Sequence, residues 1–185
     1  MKIPNPPNQE EILDLVDEND CVIGTMPRTQ VAAQNLSNYR IVIAFLVNSQ
    51  GKHCILRRAA HKAAPLQLAL VGGCVSSGET YEQALRREVM EEIGLDIHNF
   101  SYRLLKKFKP DPDLSRQFKA VYEILCDQEP LVNPDDFCEY FWLTPHEFFA
   151  RLAQGDQTLF DLPILLNMFY VNNVPVAQVD RATDS

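Results

Sequence analysis

The chain has 185 residues, 46% of them hydrophobic and 23% charged, with a formal net charge of −8. This is enough for one globular domain with a substantial core. The acidic balance argues against binding a nucleic-acid duplex through its phosphates, and no apolar run reaches the length of a membrane span.

Residues 1–10 are rich in proline and asparagine and lack the apolar stretch of a secretory signal. They read as a loose segment ahead of a domain over 11–172. Residues 11–17 (EILDLVD) alternate like a half-buried strand, 18–20 turn, and 21–24 return as the hairpin partner. A short helical connection is expected within 26–36. Residues 39–47 (YRIVIAFLV) form a continuous apolar run, as in a strand buried on both faces. The turn at 48–51 leads to a second strand over 52–58, then a loop over 59–65 and a third strand over 66–71. Gly72-Gly73 reads as a turn. Beyond the central helix, strands are expected over 99–108 and 117–126, joined by a loop, and over 137–143. Thr144-Pro145 opens a helix to Ala153, with Glu147 completing a capping box. Residues 160–170 read as a last helix and the polar stretch 173–185 as a disordered tail. Strands and hairpins mixed with helices imply an α/β fold with a mixed sheet covered by helices. The five cysteines, Cys21, Cys54, Cys74, Cys126 and Cys138, are scattered and form no CxxC pair. They fit reduced thiols in a cytoplasmic protein, not a disulfide framework or zinc site.

The central helix carries the anomaly. Thr80 followed by Gln83 is a capping box, and Gly94 suits the left-handed residue that ends a helix. At about 100° per residue, Tyr81, Ala84 and Leu85 mark the core-facing stripe, with Val89 at its edge. Glu88, Glu91 and Glu92 share a sector on or beside that stripe. Like charges at these spacings repel, and partial burial without a partner costs more. A hard divalent cation that takes carboxylate oxygens relieves both problems. The same run, RREVMEE, also occurs on solvated helix faces, where Arg86 and Arg87 simply balance the glutamates.

The spacing around this helix resembles the signature of the Nudix hydrolase family, G-x5-E-x7-R-E-U-x-E-E-x-G-U with U aliphatic. Gly73, Glu79, Arg87-Glu88, Val89, Glu91-Glu92, Gly94 and Leu95 fill every fixed position. The resemblance implies an α/β/α sandwich with a mixed sheet and the box as loop–helix–loop. It also implies hydrolysis of a pyrophosphate bond with Mg2+, or Mn2+, as cofactor. Glu88 and Glu92 would be the principal ligands, and Glu91 a further ligand or the base that activates water. The Gly72 carbonyl would join the shell, Arg87 would orient the glutamates, and Glu79, counted with the metal residues, would brace the loop.

Outside the box the chain is similar to the Nudix branch related to isopentenyl-diphosphate isomerase. In that branch a second arginine, and the lysine four residues later, bind a diphosphate. Arg58 and Lys62 match them and suit anionic oxygens, though they also suit a solvated strand end. The isomerase's cysteine and histidine are replaced by Gly72 and Cys74, and its later glutamate pair is absent from Arg116–Val121. Asp135, Asp136 and Glu139 form a second acidic cluster near Trp142, from which Glu139 is the candidate to complete the site, against a plain solvated loop. The expected partner is a small-molecule diphosphate, with no nucleic-acid duplex and no membrane. The sequence does not set the oligomeric state, and a homodimer fits it. The leading reading is a hydrolase of a nucleoside diphosphate linked to another moiety, ahead of a nucleotide-sensing module without turnover.

Overall fold

The computed structural model describes residues 10–172, so the expectations for residues 1–9 and for the tail at 173–185 lie outside the described residues. An N-terminal hairpin pairs β1 (Ile12–Val16) with β2 (Val22–Pro27), and α1 (Arg28–Ala33) follows. The main sheet contains β3 (Arg40–Val47), β4 (His53–Arg58), β5 (Leu68–Ala69) and β6 (Val71–Cys74). It continues with β7 (Ser101–Phe108), β8 (Phe118–Leu125) and β9 (Phe137–Leu143). The order runs β5-β4-β3-β8-β7, with β6 also paired to β3 and β9 to β4. The β3–β8 pairing is parallel and the others are antiparallel, so the sheet is mixed.

Both faces of β3 are covered, which explains its unbroken apolar run. Val42, Ala44 and Leu46 pack under α2 (Tyr81–Ile93), together with Leu56 and Ile124. Phe45, on the other face, packs with Ile55 and Val121 under α3 (Pro145–Ala153) and α4 (Asp161–Leu166). Burying large apolar side chains of this kind contributes about 1.5–3 kcal/mol each before the entropic cost of ordering. A smaller cluster of Leu13, Val31 and Cys74 fastens the hairpin and α1 beside β6. Among the described residues no helix is long and apolar enough to cross a membrane.

Three local expectations are corrected. The Gly72-Gly73 turn is strand: Gly73 pairs with Val42 and Gly72 with Ile43, so the box loop begins only after Cys74. The single strand expected over 66–71 is divided, because Leu66 takes a left-handed φ of 60° and only Leu68–Ala69 pairs with β4. The last helix changes character after Leu166, where Asn167–Val171 forms a π-helical turn. Phe169 and Tyr170 there pack edge-on against Phe45.

Candidate active site

The site grows from the join between β6 and α2. Thr80 caps the helix as expected: its hydroxyl accepts from Gln83 N–H at 3.2 Å, and its own N–H donates to Gln83 Oε1 at 2.8 Å. Gly94 closes the other end at φ 67°, a conformation open to glycine at little cost. Two amides from a distant loop finish the job, with Asn133 N–H donating to the Glu92 carbonyl at 2.7 Å and Leu131 N–H to Ile93 at 2.9 Å. The buried stripe is Tyr81, Ala84, Leu85, Val89 and Ile93, and Glu88 lies on it at 8% exposure.

Two glycines serve two carboxylates, one by leaving space and the other through its N–H. A Cβ on Gly73 would stand 2.3 Å from Glu88 Oε1, so only glycine lets that carboxylate lie against β6. The N–H of Gly72 donates to Glu92 Oε2 at 2.9 Å. A Cβ on Gly72 would meet the Val42 carbonyl at 2.1 Å.

Arg87 locks loop and helix together. Its Nε and one terminal nitrogen grip both oxygens of Glu79 at 2.9 Å each, and that nitrogen also donates to the Cys74 carbonyl at 2.9 Å. The other terminal nitrogen donates to Glu88 Oε1 at 2.8 Å and reaches Glu91 at 3.5 Å. Burial pushes the Glu79 carboxyl upward, but the Arg87 fork and the Ser76 N–H outweigh it and hold the group below its ordinary value. Glu79 therefore gives both oxygens to the loop geometry, the bracing role expected for it.

The remaining carboxylates stand differently. Burial raises Glu88, with Arg87 opposing. Glu92 is pushed up to about 8, first by burial and then by the charge of Glu88; Asp136 adds to this, while Gly72 N–H and Lys62 work against it. Glu91 is exposed. Cys74 is buried and its thiol is pushed up to about 11, so it is no nucleophile at neutral pH.

The other expected residues are distributed around this centre. Lys62 donates to Asp136 at 2.6 Å, and both charges act on Glu92. Arg58 Nε donates to the Ala63 carbonyl at 2.8 Å. Glu139 is turned away to Arg57 at 3.0 Å and is half exposed, in a surface network that includes Asp156 and Arg151. Of the second acidic cluster it is Asp136, not Glu139, whose charge reaches Glu92.

Two residues of the N-terminal segment were not anticipated. Asp14 is buried in β1 and accepts from the Ser77 hydroxyl at 2.7 Å and from Gly78 N–H at 3.2 Å. Glu11 accepts from the Ser76 hydroxyl at 3.2 Å and from Arg28 at 2.6 Å, and its charge raises Glu88 further. The available signal was an aspartate amid apolar strand positions, which demands a partner.

Among the described residues no three His, Cys, Asp or Glu side chains converge as ligands. The nearest oxygens are directed instead at Arg87 and at the Gly72 N–H. The donor set still fits a hard divalent cation. Glu88 is buried and Glu92 half-buried, and burial pushes the Glu92 carboxyl up to about 8.

Residues 38–162 match the NUDIX domain. A Nudix hydrolase of Nostoc sp. is 48% identical over 164 residues, covering 88% of this chain and 97% of its own. The crystal structure of DR0079 from Deinococcus radiodurans superposes with a TM-score of 0.79 at 44% identity, over 86% of this chain and 99% of that one. An isopentenyl-diphosphate isomerase of Photorhabdus laumondii is 28% identical over 141 residues, covering 72% of this chain and 77% of its own.

Proposed function

This chain belongs to the Nudix hydrolase family, whose members act on pyrophosphate bonds, and on that premise we propose that it cleaves a nucleoside diphosphate linked to another moiety, with Mg2+ or Mn2+ as cofactor. The observation that carries the metal dependence is the pair Glu88 and Glu92, set side by side against two glycines with Glu92 pushed to about 8. A divalent cation bound there would supply Lewis-acid chemistry, polarising phosphoryl oxygens, lowering the pKa of water and neutralising the leaving group.

The chain's own groups divide the remaining work. Glu88 and Glu92, with the Gly72 carbonyl, would hold the cation. Glu91 is exposed beside them and takes the proton of the attacking water. Arg87 does not reach for substrate, because its nitrogens are committed to Glu79, Glu88 and the Cys74 carbonyl. It fixes the direction of the glutamates. Lys62 and Arg58 supply positive charge for the diphosphate oxygens.

The test is a panel of nucleoside triphosphates, nucleotide sugars, ADP-ribose, dinucleotides, coenzyme A and prenyl diphosphates, read by phosphate and nucleotide products with Mg2+ and with chelator. Turnover that disappears with chelator supports the reading. Turnover that ignores chelator overturns the metal dependence. A ligand-induced melting shift without turnover would make the domain a nucleotide sensor.

A further inference from the structure

Two loops far apart in sequence meet at Asp136. One of its carboxylate oxygens accepts from Lys62 Nζ at 2.6 Å, and the other from Asn133 Nδ2 at 2.8 Å. Its main-chain carbonyl accepts the N–H of Ala59 at 2.9 Å. A single residue thus fastens the loop over 59–67 by side chain and backbone together. The loop is pinned again where Arg57 donates to the Leu66 carbonyl at 3.1 Å and Arg58 to the Ala63 carbonyl at 2.8 Å. Within it Ala64 and Leu66 take φ of 53° and 60°, left-handed conformations that residues with a Cβ adopt only when their surroundings hold them there. On its other side Asp136 is tied to the box helix, since Asn133 N–H caps the Glu92 carbonyl.

Lys62 is the movable cation of this arrangement. Arg87 is spent on the box itself, and Arg58 gives its Nε to a carbonyl of its own loop. The Lys62 side chain is 37% exposed, has a long flexible stem and is held by one carboxylate. Without that carboxylate, nothing in the loop fixes its ammonium beside Glu92.

We infer that Asp136 is a positioning residue of the active site, holding the ammonium of Lys62 at the Glu92 end of the box where the oxygens of a diphosphate arrive. The inference rests on the diphosphate reading above. Asp136 touches no reacting atom and acts through Lys62. Glu139, expected in this region, is occupied with Arg57.

A double-mutant cycle tests this through binding, without turnover. The probe is imidodiphosphate with Mg2+, titrated by calorimetry into wild type, Lys62→Ala, Asp136→Asn and the double variant. Asparagine keeps the shape and an acceptor for Asn133. Each single change is expected to weaken binding roughly tenfold, and the double variant to bind as Lys62→Ala does, because residues acting through one contact are not additive. Melting curves of each variant show whether the fold is retained. Binding by Asp136→Asn equal to wild type, or a further tenfold loss on top of Lys62→Ala, overturns the inference; the second result would make Asp136 a ligand or base in its own right. A wild type that binds neither Mg2+ nor the probe removes the diphosphate reading itself, and this inference with it.

Discussion

Replacing Glu92 by Gln separates the cost of the buried carboxyl from its use. In the folded, cation-free protein this group ionises near 8 against a usual 4.5. The folded state therefore binds more protons than the unfolded chain across that window, and stability must fall as pH rises through it. Each pH unit above the usual value costs about 1.4 kcal/mol, so the cost reaches about 3 kcal/mol at pH 7. Glutamine removes the charge and still accepts from the Gly72 N–H. In chelator, Glu92→Gln should melt about 6–12 °C above wild type at pH 7, and within about 2–3 °C of it at pH 5, since 1 kcal/mol corresponds to roughly 2–4 °C for a domain of this size. Mg2+ should close the gap by stabilising wild type alone. Hydrolysis should fall by about two orders of magnitude or more, equivalent to roughly 2.7 kcal/mol or more of lost transition-state stabilisation. The assay is a set of melts from pH 5 to 8 with chelator and with Mg2+, alongside kcat on the best substrate. Parallel pH slopes in the two proteins would refute the reasoning.

Gly73→Ala places a Cβ where Glu88 Oε1 now lies. It should cost about 1–3 kcal/mol of stability, and kcat should fall at least about 100-fold as the carboxylate is displaced, as a denaturant melt and steady-state kinetics would show. Arg58→Ala and Lys62→Ala should mainly raise KM, the pattern of groups that hold ground state and transition state alike; unchanged kinetics in both would reduce them to surface charge. Incubated with isopentenyl diphosphate, the protein should yield no dimethylallyl diphosphate, if, as the sequence resemblance implies, Gly72 and Cys74 replace the isomerase's cysteine and histidine. Product well above background by chromatography would contradict that.

The box helix was legible because its determinants are local. Thr80, Gln83 and Gly94 mark its ends within the segment itself, and the 3.6-residue period sets Glu88 on the stripe of Leu85 and Val89. The strand character of Gly72 and Gly73 was not legible, since glycine pairs alone read as a turn and only the register with Val42 and Ile43 makes them strand. The same limit explains Asp136 and Glu139. Both stand in one acidic stretch, and which of them pairs with Lys62, 74 positions away, is set by the fold. The π-helical turn over Asn167–Val171 is likewise set by tertiary packing of Phe169 and Tyr170 against Phe45, which no periodicity announces.

The end of the box helix has a consequence for motion. Its last turn carries Glu91 and Glu92 and no basic residue, at the pole where the helix dipole is already negative. Closure there is completed by the amides of Leu131 and Asn133, which belong to a loop outside the helix. The charges therefore work against this turn, and buried Ile93 and the two loop amides are what keep it closed. A cation held by Glu88 and Glu92, as proposed, would tie this turn to the middle of the helix. Amide exchange from Met90 to Ile93 should therefore slow when Mg2+ is added, while that of Ala84 and Leu85 stays unchanged.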